Sequence, residues 1–147
     1  MATNQIEIKG QFLAEEALAA GAIKPGHLLQ LDSNLKVVVH ATEGGYAERA
    51  FAKEDALQGK TTADAYASGD QVFYSLAVPG SVVNAMIKAG QNIAKGDKLI
   101  SAGDGTLKED TAITSGTTLK QIIAYAVETK DLSASGAVNT LAAVRVV

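Results

Sequence analysis

Residues able to do chemistry are few and scattered along this chain. Its two histidines, His27 and His40, fall on neighbouring candidate strands. A metal or acid–base role needs two or three further nitrogen, sulfur or carboxylate groups converging on them. No His-x-x-x-His spacing occurs and no carboxylate stands at a telling distance, so both read as ordinary surface or rim histidines. Asp32-Ser33-Asn34 opens like a calcium loop but lacks the glycine and closing glutamate that complete one, which leaves a plain turn. Neither Gly103-Asp104-Gly105 nor Gly44-Gly45 continues into a phosphate-cradling pattern before a helix. No Gly-x-Ser-x-Gly elbow is present. Glu15-Glu16 and Glu54-Asp55 sit in polar stretches, whereas a general acid needs burial or a charged neighbour to tune it. With no cysteine in the chain, disulfides, thiolate metal sites and cysteine nucleophiles are excluded. The sequence assigns no catalytic, cofactor-binding or metal-binding residue, and the expectation is a protein that is not an enzyme.

One lysine needs separate weighing. Val83-Asn84-Ala85-Met86-Ile87-Lys88-Ala89-Gly90, followed by Ile93-Ala94-Lys95-Gly96-Asp97-Lys98-Leu99, resembles the second half of biotinyl and lipoyl carrier domains. Those domains place a modified lysine on a hairpin tip, next to Met in the biotin case. Here Ile87 stands between Met86 and Lys88, which turns the lysine to the wrong face of a period-two strand.

The elements that would position any of these groups are short and frequently punctuated, with 14 glycines and 2 prolines. Gln5 to Lys9 alternates with period two and stops at Gly10, the pattern of a half-buried strand. His27–Leu31 and Leu35–Val39 flank Asp32-Ser33-Asn34 and read as a hairpin. Gln71–Val78 lies between Gly69-Asp70 and Pro79-Gly80, another strand. Leu99-Ile100 and Thr106-Leu107 bracket the Gly103-Asp104-Gly105 turn. Lys120–Glu128 and the Val-rich Leu141–Val147 complete the set. Gln11 to Ala22 reads either as three helical turns or as an Ala-rich extended segment. Glu54–Gln58, closed by Gly59, reads as one helical turn. Ser81–Ala89 has the ends of a short helix, but Val82-Val83 and the preceding Pro-Gly favour a strand. Strands at spacings near ten residues predict an all-β domain, mainly an antiparallel barrel or sandwich with short helical turns.

An internal echo runs through this pattern. Ala20-Gly21, Ile23, Gly26 and the strand after it match Ala89-Gly90, Ile93, Gly96 and theirs, and Ser68-Gly69-Asp70 repeats the turn alone. Two related strand–turn–strand units would suit a small barrel.

At 147 residues, with 47% hydrophobic and 5% aromatic, the chain suits one domain able to bury its own core. Its 13 basic and 16 acidic residues give a formal net charge of −3, which argues against nucleic-acid and anionic-membrane partners. Met1-Ala2-Thr3-Asn4-Gln5 lacks the basic start and apolar run of a secretory signal, and no stretch reaches the ~18 apolar residues of a spanning helix. A soluble protein is expected.

More specific is the run Ala56-Leu57-Gln58-Gly59-Lys60-Thr61-Thr62-Ala63-Asp64-Ala65-Tyr66-Ala67-Ser68-Gly69-Asp70-Gln71-Val72-Phe73-Tyr74, continuing through Val78-Pro79-Gly80 and Ala89–Leu99 to Ala102-Gly103-Asp104-Gly105. Together with Ile122–Glu128 and the closing Val144-Arg145-Val146-Val147, it resembles the head decoration (capsid cement) proteins of tailed bacteriophages. The likeness spans residues 17–147, in turn and strand markers. It implies a β-rich domain, a homotrimer on the outer capsid surface bound to the major capsid protein, no cofactor and no enzymatic activity. A virion location follows, after synthesis in the host bacterial cytoplasm. Two other readings stay open, another phage structural β-protein of the tail or an adaptor, and a carrier domain. The expected division is an N-terminal arm or first strand over residues 1–12 and a single β-rich decoration domain over 13–147. The expected capsid contact is Ala2, Thr3, Asn4, Gln5, Ile6, Glu7 and Ile8, because Ile6 and Ile8 alternate as a strand wanting a partner.

Overall fold

Thirteen short strands and one 3-10 turn make up the computed structural model, which describes residues 5–111 and 120–147. In chain order they are β1 (Glu7–Lys9), β2 (Phe12–Leu18), β3 (Leu29–Leu31), β4 (Val37–Val39) and β5 (Ala50–Ala52), then the 3-10 turn Ala56–Gln58. After it come β6 (Gln71–Ala77), β7 (Val82–Ile87), β8 (Asn92–Ile93), β9 (Lys98–Ser101), β10 (Leu107–Glu109), β11 (Ala124–Ala126), β12 (Lys130–Asp131) and β13 (Thr140–Val146). The protein is all-β, as the spacing of turns and apolar runs predicts.

Strands β7, β10, β9, β11 and β13 hydrogen-bond in that order, and β13 returns to β7 to close a five-stranded barrel. All its pairings are antiparallel except β7–β10, which touches in parallel at Leu107 and Ile87. Alternate residues of these strands fill the interior: Val83, Ala85 and Ile87 from β7 meet Leu99, Leu107, Ala124, Val144 and Val146. The longest register in the barrel joins β7 to β13, from Thr140 opposite Ile87 to Arg145 opposite Val82. Closure leaves these strands with no long open edge.

Beside the barrel, β2, β6 and β5 form a second sheet, and the β3–β4 hairpin covers it. Ile23, Leu29, Val37, Tyr66, Val72 and Tyr74 pack between them as a second core. Strand β5 lies between the two cores: Phe51 points into the barrel cluster while Ala50 and Ala52 point into the other. A strand buried on both faces cannot show a polar alternation, and β5 does not.

The expected hairpin is β3–β4, the expected turn at 54–58 is the 3-10 turn closed by Gly59, and Ser81–Ala89 contains a strand. Gln11–Ala22 resolves to the extended alternative, with β2 paired to β6 over seven residues. The echo also has a structural counterpart. At Lys24–His27, Ala67–Asp70 and Ala94–Asp97, the fourth residue's amide donates to the first residue's carbonyl and its side chain accepts from the first residue's amide. The third residue is Gly each time, at φ +91°, +89° and +96°. His27 Nδ1 therefore does the work that a carboxylate does in the other two turns.

Candidate functional site

The histidines take structural positions. His40 is buried, correcting the surface reading: its Nε2 lies 3.0 Å from the Tyr46 carbonyl and so donates, leaving Nδ1 to accept from the Ser101 hydroxyl at 2.7 Å. Ser101 is buried as well and also accepts from the Gly103 amide, so this serine–histidine pair ties loops together inside the protein. Burial holds the His27 imidazole below its ordinary value against the opposing pull of Asp104, which keeps it neutral and able to accept. Burial also pushes the Tyr66 phenol up to about 12, and its hydroxyl donates to the Lys53 carbonyl at 2.6 Å. Among the described residues, no cluster of three potential metal ligands occurs, and no helix is long and apolar enough to cross a membrane.

Lys88 follows β7, but β7 and β8 are not paired to each other, so it does not sit on a hairpin tip. Its amide donates to the Leu107 carbonyl and its Nζ lies 3.2 Å from Asp104 Oδ2. Burial raises the Asp104 carboxyl, but hydrogen bonds from Thr106 and Lys88 outweigh that and hold it below the usual range.

What remains is surface. Of the expected contact residues, Ala2, Thr3 and Asn4 lie outside the described residues, and Gln5 is exposed. Ile6 is 0% exposed inside the barrel cluster, with its amide on Glu54 and its carbonyl receiving the Asn84 amide. Glu7 pairs opposite Val83, accepts from Ser75 and lies 3.2 Å from Lys53. A bulge between Glu7 and Lys9 breaks the alternation, which is why Ile8 is 40% exposed while Ile6 is buried. Ile8 joins Val82, Val127 and Ala143 in a groove of about 390 Å³ whose walls also carry Lys9 and Arg145. Residues 7–9 thus add a strand to their own chain's sheet.

A second surface feature escaped the sequence reading. Strand β2 ends its sheet, paired along one side to β6 and met on the other only at its end, where Ala19 bridges Val37, and five of its seven residues are exposed. Leu13 is 60% and Leu18 47% exposed, with Glu15 and Glu16 between them. A hollow of about 280 Å³ adjoins it, walled by Glu15, Glu54, Asp55, Leu57, Phe73 and Tyr74 among others. Burial raises the Tyr74 phenol, and the carboxylates of Glu15 and Glu48 raise it further. The adjacent Glu15-Glu16 pair was a visible signal, since neighbours on a strand point to opposite faces and a carboxylate on each suits neither face to a core.

No protein-family model matches the chain, and no curated protein matches it. Its fold is similar to that of the N base of the head fiber gp8.5 of bacteriophage phi29. The TM-score is 0.57 at 17% sequence identity, with 93% of this chain and 95% of that chain covered. The likeness is one of fold, it runs nearly end to end, and it fits the resemblance to phage head decoration proteins.

Proposed function

We propose that this protein is a structural component of a tailed-phage head, a decoration (cement) protein that binds the outer face of the major capsid protein shell as a homotrimer. The observation that carries the reading is the end-to-end fold likeness to a phage head fiber base, reached from a sequence that already resembled decoration proteins. Histidines and serine committed to structural hydrogen bonds accord with a brace that makes and breaks no bond. In a closed cyclic trimer each copy offers one donor and one acceptor patch. Three subunits gripping one shell raise avidity over a single contact by about 10²–10⁴, so modest surfaces suffice. The proposed capsid-facing patch is residues 2–5 with the exposed Ile8 and the groove it lines, while Ile6 and Glu7 anchor that patch to the barrel.

Native mass spectrometry and co-sedimentation with undecorated heads test this. Trimer mass and saturable pelleting with shells are expected. A protein that stays monomeric and remains in the supernatant at every shell concentration defeats the reading. Biotin or lipoate found on Lys88 by mass spectrometry would replace it with the carrier reading.

A further inference from the structure

We propose that the outer edge of β2 is a docking site for an extended segment of a partner protein bearing lysine or arginine side chains, which adds to the β2–β6–β5 sheet as a further strand.

Register defines the free groups. Ala19 donates to Asp70 and Val78 donates to Gln11, and the pairing between those ends is unbroken. Odd-numbered residues of β2 therefore exchange hydrogen bonds with β6, and the amides and carbonyls of Phe12, Ala14, Glu16 and Leu18 point away from it. Its C-terminal end is met on that side by β4, where Ala19 bridges Val37 and the Ala20 amide donates to the Val37 carbonyl, while among the described residues no strand is paired with it over Phe12–Glu16. The outward amides and carbonyls of Phe12, Ala14 and Glu16 are a template for another strand.

Side chains choose the occupant. Glu15 lies on one face of the edge and Glu16 on the other, so an added strand meets a carboxylate on both faces, with Leu13 and Leu18 flanking them. The adjoining hollow adds the aromatic rings of Phe73 and Tyr74 and the Glu54 carboxylate, one oxygen of which holds the Ile6 amide, while Asp55 beside it is buried as the cap of the 3-10 turn and Lys53 is paired to Glu7. An apolar segment carrying a basic residue in its middle matches this surface in backbone, charge and aromatic contact. A second copy of β2 does not. Pairing two copies antiparallel about the strand's centre puts Glu15 opposite Glu15 or Glu16 opposite Glu16, a like-charge contact that destabilises a ladder.

The test uses the full chain and does not depend on any phage head. A short capped peptide alternating valine and lysine, and its valine–glutamate counterpart, are titrated while amide exchange is followed by NMR. The lysine peptide is expected to bind and to slow exchange at Phe12, Ala14 and Glu16. Reversing both charges, Glu15→Lys with Glu16→Lys, should weaken it about tenfold. Ala14→Pro should do likewise, because it removes an outward amide and no bond to β6. Equal binding of the glutamate peptide, no binding of either, or protection elsewhere overturns the proposal. So do amides on this edge that are already protected without peptide in a concentration-dependent way, which would mean a second copy occupies it.

Discussion

Ile6→Ala separates a loose arm from a built-in strand. The side chain is wholly buried in the barrel cluster beneath β7, and the backbone on either side is held by Glu54 and Asn84. Truncation to Ala at such a site removes three carbons and leaves a void that backbone fixed at both ends cannot easily collapse, at a cost of about 2–5 kcal/mol. For a chain of this length each kcal/mol lowers the melting temperature by roughly 2–4 °C, so a fall of about 5–15 °C is expected. Ile8→Ala, at 40% exposure and on the far side of the bulge, should cost less than about 1 kcal/mol. Thermal unfolding followed by circular dichroism at one fixed protein concentration measures both, since any oligomer makes the midpoint concentration-dependent. Equal, small shifts for the two variants would refute the burial of Ile6 in the barrel cluster and the pairing of β1 to β7. Deleting residues 1–9 would remove Ile6 from the core together with surface, so a capsid-binding test should delete only residues 1–4.

Three further outcomes follow from named contacts. His27 sits below its ordinary value through burial, so the unfolded chain takes up its proton first as pH falls. Stability should therefore hold above about pH 6.5 and decline below it; His27→Asn, which keeps an acceptor for the Lys24 amide, should flatten that decline in urea titrations at pH 7 and pH 5. Gly26 and Gly96 occupy the same place in the repeated turn, but a Cβ on Gly26 would meet Leu141 Cδ2 at 2.3 Å while one on Gly96 would meet nothing within 4 Å. Both alanine variants carry about 1–2 kcal/mol of left-handed strain, and Gly26→Ala should lose roughly 1–3 kcal/mol more in chemical denaturation. Arg49 donates to the carbonyls of Ala47, Ile122 and Val147, so Arg49→Ala should cost about 2–3 kcal/mol by the same assay and Arg49→Lys should recover only part of it, lacking the fork that reaches all three.

Most strands were legible because turns announce them. The Gly-Asp pairs at 69–70 and 96–97 and the Pro-Gly pairs at 25–26 and 79–80 each end in the tight bends the backbone adopts. Strands buried on one face, such as β13, alternate as period two requires. Elements in unusual surroundings were not legible. β2 is exposed on both faces and β5 buried on both, so neither has the alternation that marks a half-buried strand. His40 looked like a rim residue because nothing local reveals Ser101, 61 positions away, or the Tyr46 carbonyl that satisfies it. Closure of the barrel by β7 against β13 joins segments that no local pattern connects. The docking edge shared that fate: the Glu15-Glu16 pair was visible, but the unpaired backbone beside it exists only once β6 has taken the other side.

Cryo-electron microscopy of undecorated heads incubated with the purified chain shows whether it coats a shell. Added density is expected on the outer shell at positions of three-fold or quasi-three-fold symmetry, into which three copies of the barrel fit. Shells that stay bare at saturating protein, with the same sample folded by circular dichroism, would contradict the proposed decoration role.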